Sequence, residues 1–206
     1  MSSVDSSEAL ERLITGNQRY LKGDVLRQSP SAEARSQTIA SQAPFAIILG
    51  CSDSRVPAEI VFDQGIGDLF VIRVAGNIVA PSQVGSVEFA AAMFQTRLVV
   101  VLGHSGCGAI QATLSELERP DSSRSPNLKA IVDRIMPAVQ PLYEANKRKD
   151  ADELLEPAVR ANIRASVSHL KHGSAILENL IANEGLRIVG AEYSLETGEV
   201  DFFDRS

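Results

Sequence analysis

Apolar positions along the chain fall into two patterns. Phe45-Ala46-Ile47-Ile48-Leu49, Leu69 to Val74, Leu98 to Leu102 and Leu186 to Val189 are short runs with little or no polar interruption. Runs without alternation predict strands covered on both faces, as in a parallel sheet. Between and after them the spacing is helical: Gln83 to Gln95, Gly108 to Leu117, Asn127 to Lys147 and Leu154 to Asn183. Pro137, Pro141 and Pro157 are the expected kinks or breaks. Strand alternating with helix predicts βαβ units and an α/β protein. From Ala191 to Phe203, Glu196-Thr197-Gly198 separates two strand-like pieces, which predicts a hairpin.

Asp5 to Leu21 reads as an amphipathic helix. Asp5 caps it, Glu8 stands in capping-box position, Leu10, Leu13, Ile14 and Leu21 form the apolar stripe, and Gly23 stops it. A second short helix is expected over Ser31 to Ser41, with Pro30 in its first turn and Pro44 past its end. Arg119 to Pro126 reads as a polar loop. There is no internal repeat, low-complexity segment or linker, so residues 1–206 read as one domain: a helical arm over 1–43 and an α/β core over 44–206.

Composition narrows the function. Hydrophobic residues make up 44% and charged residues 22%, as in an ordinary globular protein. The formal net charge of −6 argues against a nucleic-acid partner. No apolar run approaches the ~20 residues of a membrane span. Asp5, Glu8, Glu11 and Arg12 interrupt the first segment, so it does not read as a signal peptide, and a cytoplasmic location is expected. Two cysteines, Cys51 and Cys107, are too few for a disulfide scaffold, which leaves them free, catalytic or metal-bound.

Both cysteines lie just past the carboxyl ends of predicted strands, where open parallel sheets bind ligands. Cys51 follows Gly50, and Cys107 closes Gly103-His104-Ser105-Gly106-Cys107. Two stretches 56 residues apart are thus expected to converge, bringing two thiols and an imidazole together. Cys, Cys and His are preferred zinc ligands; catalytic sites keep three and one open position, structural sites close all four. Asp53 is the candidate fourth ligand. In Cys51-Ser52-Asp53-Ser54-Arg55, an extended backbone puts alternate side chains on one side, and Asp53 and Arg55 can pair bidentately. The carboxylate then either binds the metal or stands off and accepts a hydrogen bond from metal-bound water. Zinc with two thiolates and a neutral imidazole is about neutral and acidifies its water less than a three-histidine site. Activity rising toward alkaline pH is expected, as hydroxide competes with Asp53.

Other readings compete. The cysteines can be small apolar core side chains, or the zinc purely structural. Gly103 to Cys107 approximates the G-x-S-x-G nucleophile elbow with Ser105 as nucleophile, but Cys107 replaces its last glycine. The late histidines, His169 and His172, lie in a helical stretch and read as surface residues. Cys51 and Arg55 stand too close for a cysteine-phosphatase loop, and Gly65-Ile66-Gly67 precedes a strand instead of following one.

Cys51-Ser52-Asp53-Ser54-Arg55-Val56 and Gly103-His104-Ser105-Gly106-Cys107-Gly108 resemble the two signatures of the β-class carbonic anhydrases. The resemblance extends through Gly67 to Arg73, Ala75-Gly76-Asn77, Gly16 to Tyr20, and Ile188 to Tyr193, nearly the whole chain. It implies a mostly parallel central β-sheet flanked by helices, with the N-terminal helical arm packing on a partner subunit. It implies zinc held by Cys51, His104 and Cys107, joined by Asp53 in a closed form, with Asp53 and Arg55 as a gating dyad. The implied reaction is reversible hydration of carbon dioxide to bicarbonate by attack of zinc-bound hydroxide, in a homodimer or a tetramer of dimers with active sites at subunit interfaces. Gln42 matches a substrate-side glutamine, Phe70 an aromatic wall, and Gly108 a backbone donor beside the metal. Phe89, where many relatives carry tyrosine, completes the wall. Arg73 and Tyr193 match two positions of a bicarbonate-regulated site whose tryptophan is here Ile48, which argues against that regulation. No residue stands out as a proton shuttle. Carbon disulfide or carbonyl sulfide hydrolysis on the same scaffold, and a non-catalytic zinc-holding interaction protein, are the alternatives.

Overall fold

A computed structural model describes residues 4–26, 31–119, 125–146 and 151–203. Five strands form one sheet in the order β2-β1-β3-β4-β5. They are β1 (Ala46–Gly50), β2 (Leu69–Arg73), β3 (Leu98–His104), β4 (Arg187–Tyr193) and β5 (Val200–Phe203). The first four pair in parallel and β5 runs antiparallel to β4. The apolar runs thus form the parallel sheet that their pattern predicts. β1 and β3 are buried along their whole length, while β2, at the sheet edge, is half-buried and ends on exposed Arg73.

The helices are α1 (Ser6–Lys22), α2 (Ala32–Gln37), α3 (Ala58–Val61), α4 (Pro81–Met93), α5 (Gly108–Glu118), α6 (Pro126–Ala145), α7 (Ala151–His172) and α8 (Ala175–Glu184). Strand side chains alternate between two cores, as the period of two requires. Ile47, Leu49, Val99 and Val101 face one core with Ile110, Ile135 and Ile163 from α5, α6 and α7. Ala46, Ile48, Val100 and Leu102 face the other with α1 and α3.

Asp5 caps α1 by accepting from the N–H groups of Ser7 and Glu8, and Gly23 ends it at φ 75°. The Glu8 carboxylate accepts from Arg12. The stripe residues Leu10 and Leu13 are buried with Ala9 against the chain's own sheet, so the inner face of the arm belongs to this chain's core. Buried Asn17 fastens α1 further: its Nδ2 donates to the carbonyls of Val61 (3.1 Å) and Gly198 (3.0 Å), and its Oδ1 accepts from Val200 N–H (3.0 Å). Gly16 is required beside it, since a Cβ there would lie 1.9 Å from the Phe62 carbonyl oxygen.

Three expectations are corrected. The second helix covers only Ala32–Gln37, capped by Ser31, while Pro30 lies outside the described residues. α6 runs through Pro137 and Pro141, and α7 through Pro157. The predicted helix over 154–183 breaks instead after His172, where Ser174 accepts from Leu177 N–H and starts α8. A serine cap offers a new helix start that the turn before it cannot extend through. In the predicted loop from Arg119 to Pro126, residues 120–124 lie outside the described set. The hairpin forms as predicted, with Gly198 at φ 80° in its turn.

Candidate metal centre

Adjacent parallel strands explain why distant residues meet. β1 pairs with β3 so that Gly50 lies opposite Leu102. Cys51, just after β1, therefore stands beside the end of β3, where His104 is the last residue. A turn with Gly106 at φ 64° then places Cys107 at the start of α5. The ligand atoms of Cys51, His104 and Cys107 lie within 4.8 Å of one another, and all three residues are buried.

The imidazole shows what the pocket is built for. His104 Nδ1 lies 2.9 Å from the Ser105 carbonyl oxygen, which can only accept, so Nδ1 carries the proton. Nε2 is left with a bare lone pair, buried and without a hydrogen-bond partner. An orphaned acceptor of this kind is costly unless something binds it. The thiols give the same reading. A hydrogen bond from Cys107 lowers Cys51 to about 4, against the upward push of burial. Its hydrogen bond to Cys51, then burial, pushes Cys107 up. One thiolate, one thiol and one imidazole lone pair around a common point fit a soft divalent cation that displaces the remaining proton. His104 itself is raised: burial pushes it down, and the nearby Cys51 sulfur and the Ser105 carbonyl outweigh that.

Asp53 and Arg55 stand at the mouth. Arg55 Nε donates to Asp53 Oδ1 at 2.9 Å and Nη2 to Oδ2 at 2.7 Å, a bidentate pair. The extended backbone expected here is a turn: Arg55 N–H donates to Asp53 Oδ1 at 3.0 Å, and Val56 N–H to the Asp53 carbonyl at 3.1 Å. An aspartate that bonds its own backbone two residues on favours a turn over a strand. The Arg55 guanidinium holds the Asp53 carboxyl well below the usual carboxylate range. Asp53 Oδ2 lies 3.8 Å from His104 Nε2.

The sequence reading missed the supporting contacts of several residues. Gly76, at φ 68°, donates its N–H to Cys51 Sγ at 3.4 Å. Its carbonyl is held by Asn162, and that of Asn77 by Ser166, both on α7. Gly76 lies within the quoted Ala75-Gly76-Asn77 motif; Asn162 and Ser166 carry no local signal. Arg73 reaches the carbonyls of Cys51 and Asp53.

Ser105 has no place as a nucleophile: its Oγ accepts from Leu195 N–H, and it lines a different cavity from His169. Gly108 opens α5 and borders an apolar recess of about 330 Å³ with Ala75, Ala109, Leu128 and Ile131. Phe70 and Phe89 form a three-ring cluster with Phe94. Phe70 pairs in register with Ile47, four positions before Cys51, or about 13 Å back along the sheet at ~3.3 Å per residue. Gln42 is exposed between α2 and β1. Within one chain, then, Gln42, Phe70 and Phe89 are not among the residues gathered around the thiols. Ile48 is fully buried in the core, and Tyr193 bonds Tyr20 at 3.2 Å.

The family described as carbonic anhydrase matches residues 46–200. The chain is 36% identical over 201 residues to a carbonic anhydrase of Mycolicibacterium smegmatis, covering 98% of this chain and 95% of that one. It is 34% identical over 198 residues to carbonic anhydrase 2 of Mycobacterium tuberculosis H37Rv, covering 96% and 93%. Among solved structures, the β-carbonic anhydrase CcaA superposes with a TM-score of 0.73 at 28% identity, covering 95% of each chain. CafA of Aspergillus fumigatus superposes at 0.75 with 21% identity, covering 97% and 91%, a likeness of fold.

Proposed function

The chain belongs to the β class of the carbonic anhydrase family, and from that membership we propose that it hydrates carbon dioxide reversibly to bicarbonate and a proton at a zinc ion held by Cys51, His104 and Cys107. The observation that carries this reading is the buried, unpartnered Nε2 of His104 facing two sulfurs. Zinc bound there supplies the Lewis acidity that makes water nucleophilic near neutral pH.

The chain's own residues supply the rest. Ser105 fixes the His104 tautomer, so Nε2 is always the ligand atom. Asp53, held ionised by Arg55, accepts the nucleophile's proton in a hydrogen bond and so orients it. Paired with Arg55, Asp53 would leave a metal held by Cys51, His104 and Cys107 accessible to solvent; released from Arg55, it could serve as a further ligand. Phe70 and Phe89 offer apolar surface for carbon dioxide, Gln42 a donor for developing charge on oxygen, and the Gly108 N–H another. Since Gln42, Phe70 and Phe89 stand away from their own chain's thiols, we assign them to the site of a second copy. The half-buried edge strand β2, half-exposed Phe89, and exposed Leu26, Ile39 and Met93 give such a homodimer its apolar contact. The arm's outer face and the segment after it take part in that contact. Pairing of dimers into a tetramer is the further assembly; the Sordaria macrospora relatives that this fold resembles are described as tetrameric.

A stopped-flow hydration assay tests the reading, run at pH ~7 and ~8.5 on zinc-loaded protein beside carbon disulfide and carbonyl sulfide. Carbon dioxide turnover that rises with pH is expected. Turnover of the sulfur substrates alone would make it a hydrolase on the same scaffold, and no turnover at either pH would make it a zinc-holding protein.

A further inference from the structure

Arg73 ends β2 opposite Gly50, one residue short of Cys51 on the neighbouring strand. Its Nε donates to the Cys51 carbonyl at 3.0 Å and its Nη2 to the Asp53 carbonyl at 2.5 Å. These two peptides carry a metal-ligand side chain and the carboxylate at the mouth. The other bonds of the turn, from Arg55 N–H and Val56 N–H to Asp53, run within it, and the Val56 N–H shares its acceptor, the Asp53 carbonyl, with Arg73. The Arg73 bonds cross from the turn to the sheet. A loosened turn changes what Asp53 does, because its Oδ2 already lies 3.8 Å from His104 Nε2.

We propose that Arg73 is a positioning residue whose planar fork anchors the Cys51–Asp53 turn to the sheet, keeping Asp53 paired with Arg55 and out of the metal's fourth position. The inference rests on the zinc reading above. Charge-assisted bonds are about twice as strong as neutral ones, and a guanidinium holds two carbonyls in a fixed planar fork that the compact, rotatable ammonium lacks. The guanidinium is thereby occupied, although the sequence places Arg73 at a position associated with anion binding.

The test uses Arg73→Leu and Arg73→Lys in the full-length protein. With cobalt(II) in place of zinc, azide titration of the visible absorption bands reads whether the fourth position is open. Arg73→Leu is expected to keep stoichiometric metal, need at least about tenfold more azide, and lose about tenfold or more in kcat with KM within about twofold. Arg73→Lys should recover part of each loss. In an Asp53→Asn background, Arg73→Leu should change azide affinity less than about twofold, since no competing carboxylate remains. In the metal-free protein, the Val56 amide should exchange at least about tenfold faster in Arg73→Leu. Unchanged azide affinity, an equal loss in the Asp53→Asn background, unchanged Val56 exchange, or a wild type that itself rejects azide would each overturn the proposal. Failure of the zinc reading shows separately, as wild-type protein that binds no stoichiometric metal or hydrates no carbon dioxide. The Val56 exchange still decides the anchor in that case.

Discussion

The Oγ atom of Ser105 accepts a hydrogen bond from the backbone N–H of Leu195 at 2.9 Å, tying the turn after β3 to the hairpin of β4 and β5. The same residue's N–H donates to the Tyr193 carbonyl at 3.0 Å, and its own carbonyl receives the His104 Nδ1 proton. The carbonyl of Ser105 thus orients His104, while its N–H and Oγ fasten the turn to the hairpin. The backbone bonds do not depend on the side chain. Ser105→Ala is therefore expected to leave hydration activity within about twofold while lowering stability by about 1 kcal/mol, the worth of one lost hydrogen bond. Urea unfolding beside a hydration assay checks both; an inactive but folded variant would revive the serine-nucleophile reading.

Cys107→Ser removes one sulfur and keeps the helix start, because serine is a favoured N-cap. α5 is expected to survive, with a circular dichroism spectrum like that of the wild type. Bound zinc, measured by mass spectrometry after gel filtration, should fall far below one per chain, and hydration should vanish with it. A variant active without metal would contradict the ligand assignment.

Asp53→Ala is expected to retain zinc, since Cys51, His104 and Cys107 are gathered without it. The Asp53 carboxyl is held well below the usual range by Arg55, so it stays ionised at any pH used for assay. A changed pH profile in the variant would then come from removal of a competing carboxylate and not from its titration. Metal analysis and a pH series together decide: complete metal loss would make Asp53 a required ligand.

The parts legible in the sequence are those written locally. Unbroken runs such as Phe45 to Leu49 could only be strands covered on both faces, and the Asp5 cap and Gly23 stop bounded α1 to within a residue. Cys51, His104 and Cys107 were legible because each lies at or just past the end of a strand, and parallel pairing brings such ends together. What the pattern could not carry were long-range choices. Arg73 matches a position of an anion site in the sequence, and its bonds to the Cys51–Asp53 turn appear only once β2 is seen beside β1. Asn162 and Ser166 act on carbonyls more than 80 positions away. The break before Ser174 was hidden because an apolar spacing continues across it; the prolines, the stronger local signal, sit inside intact helices.

Glu192 of β4 is only 7% exposed, and Arg160 of α7 is its counter-charge, with Nε 2.7 Å from Oε2. Burial pushes this carboxyl above its ordinary value, Arg160 opposes that, and Glu156 and Asp201 add to the upward push. A carboxyl raised on folding binds its proton more tightly in the native than in the unfolded chain. Its contribution to stability is therefore full below the unfolded value and is lost as pH rises through the raised native one. In the wild type, Arg160 limits that loss. Arg160→Met keeps an apolar side chain against Phe203, which the guanidinium covers at 5.1 Å, but leaves a buried carboxylate without its cation. The variant should be less stable than wild type by about 1–3 kcal/mol at pH ~8, and most of the difference should disappear near pH ~5, where Glu192 can take up a proton. The exposed pair with Asp201, lost at the same time, contributes little. Urea unfolding at the two pH values measures this. An equal loss at both would mean that packing, and not the charge on Glu192, is what Arg160 supports, whereas Glu192→Gln in the Arg160→Met background should restore stability at the higher pH.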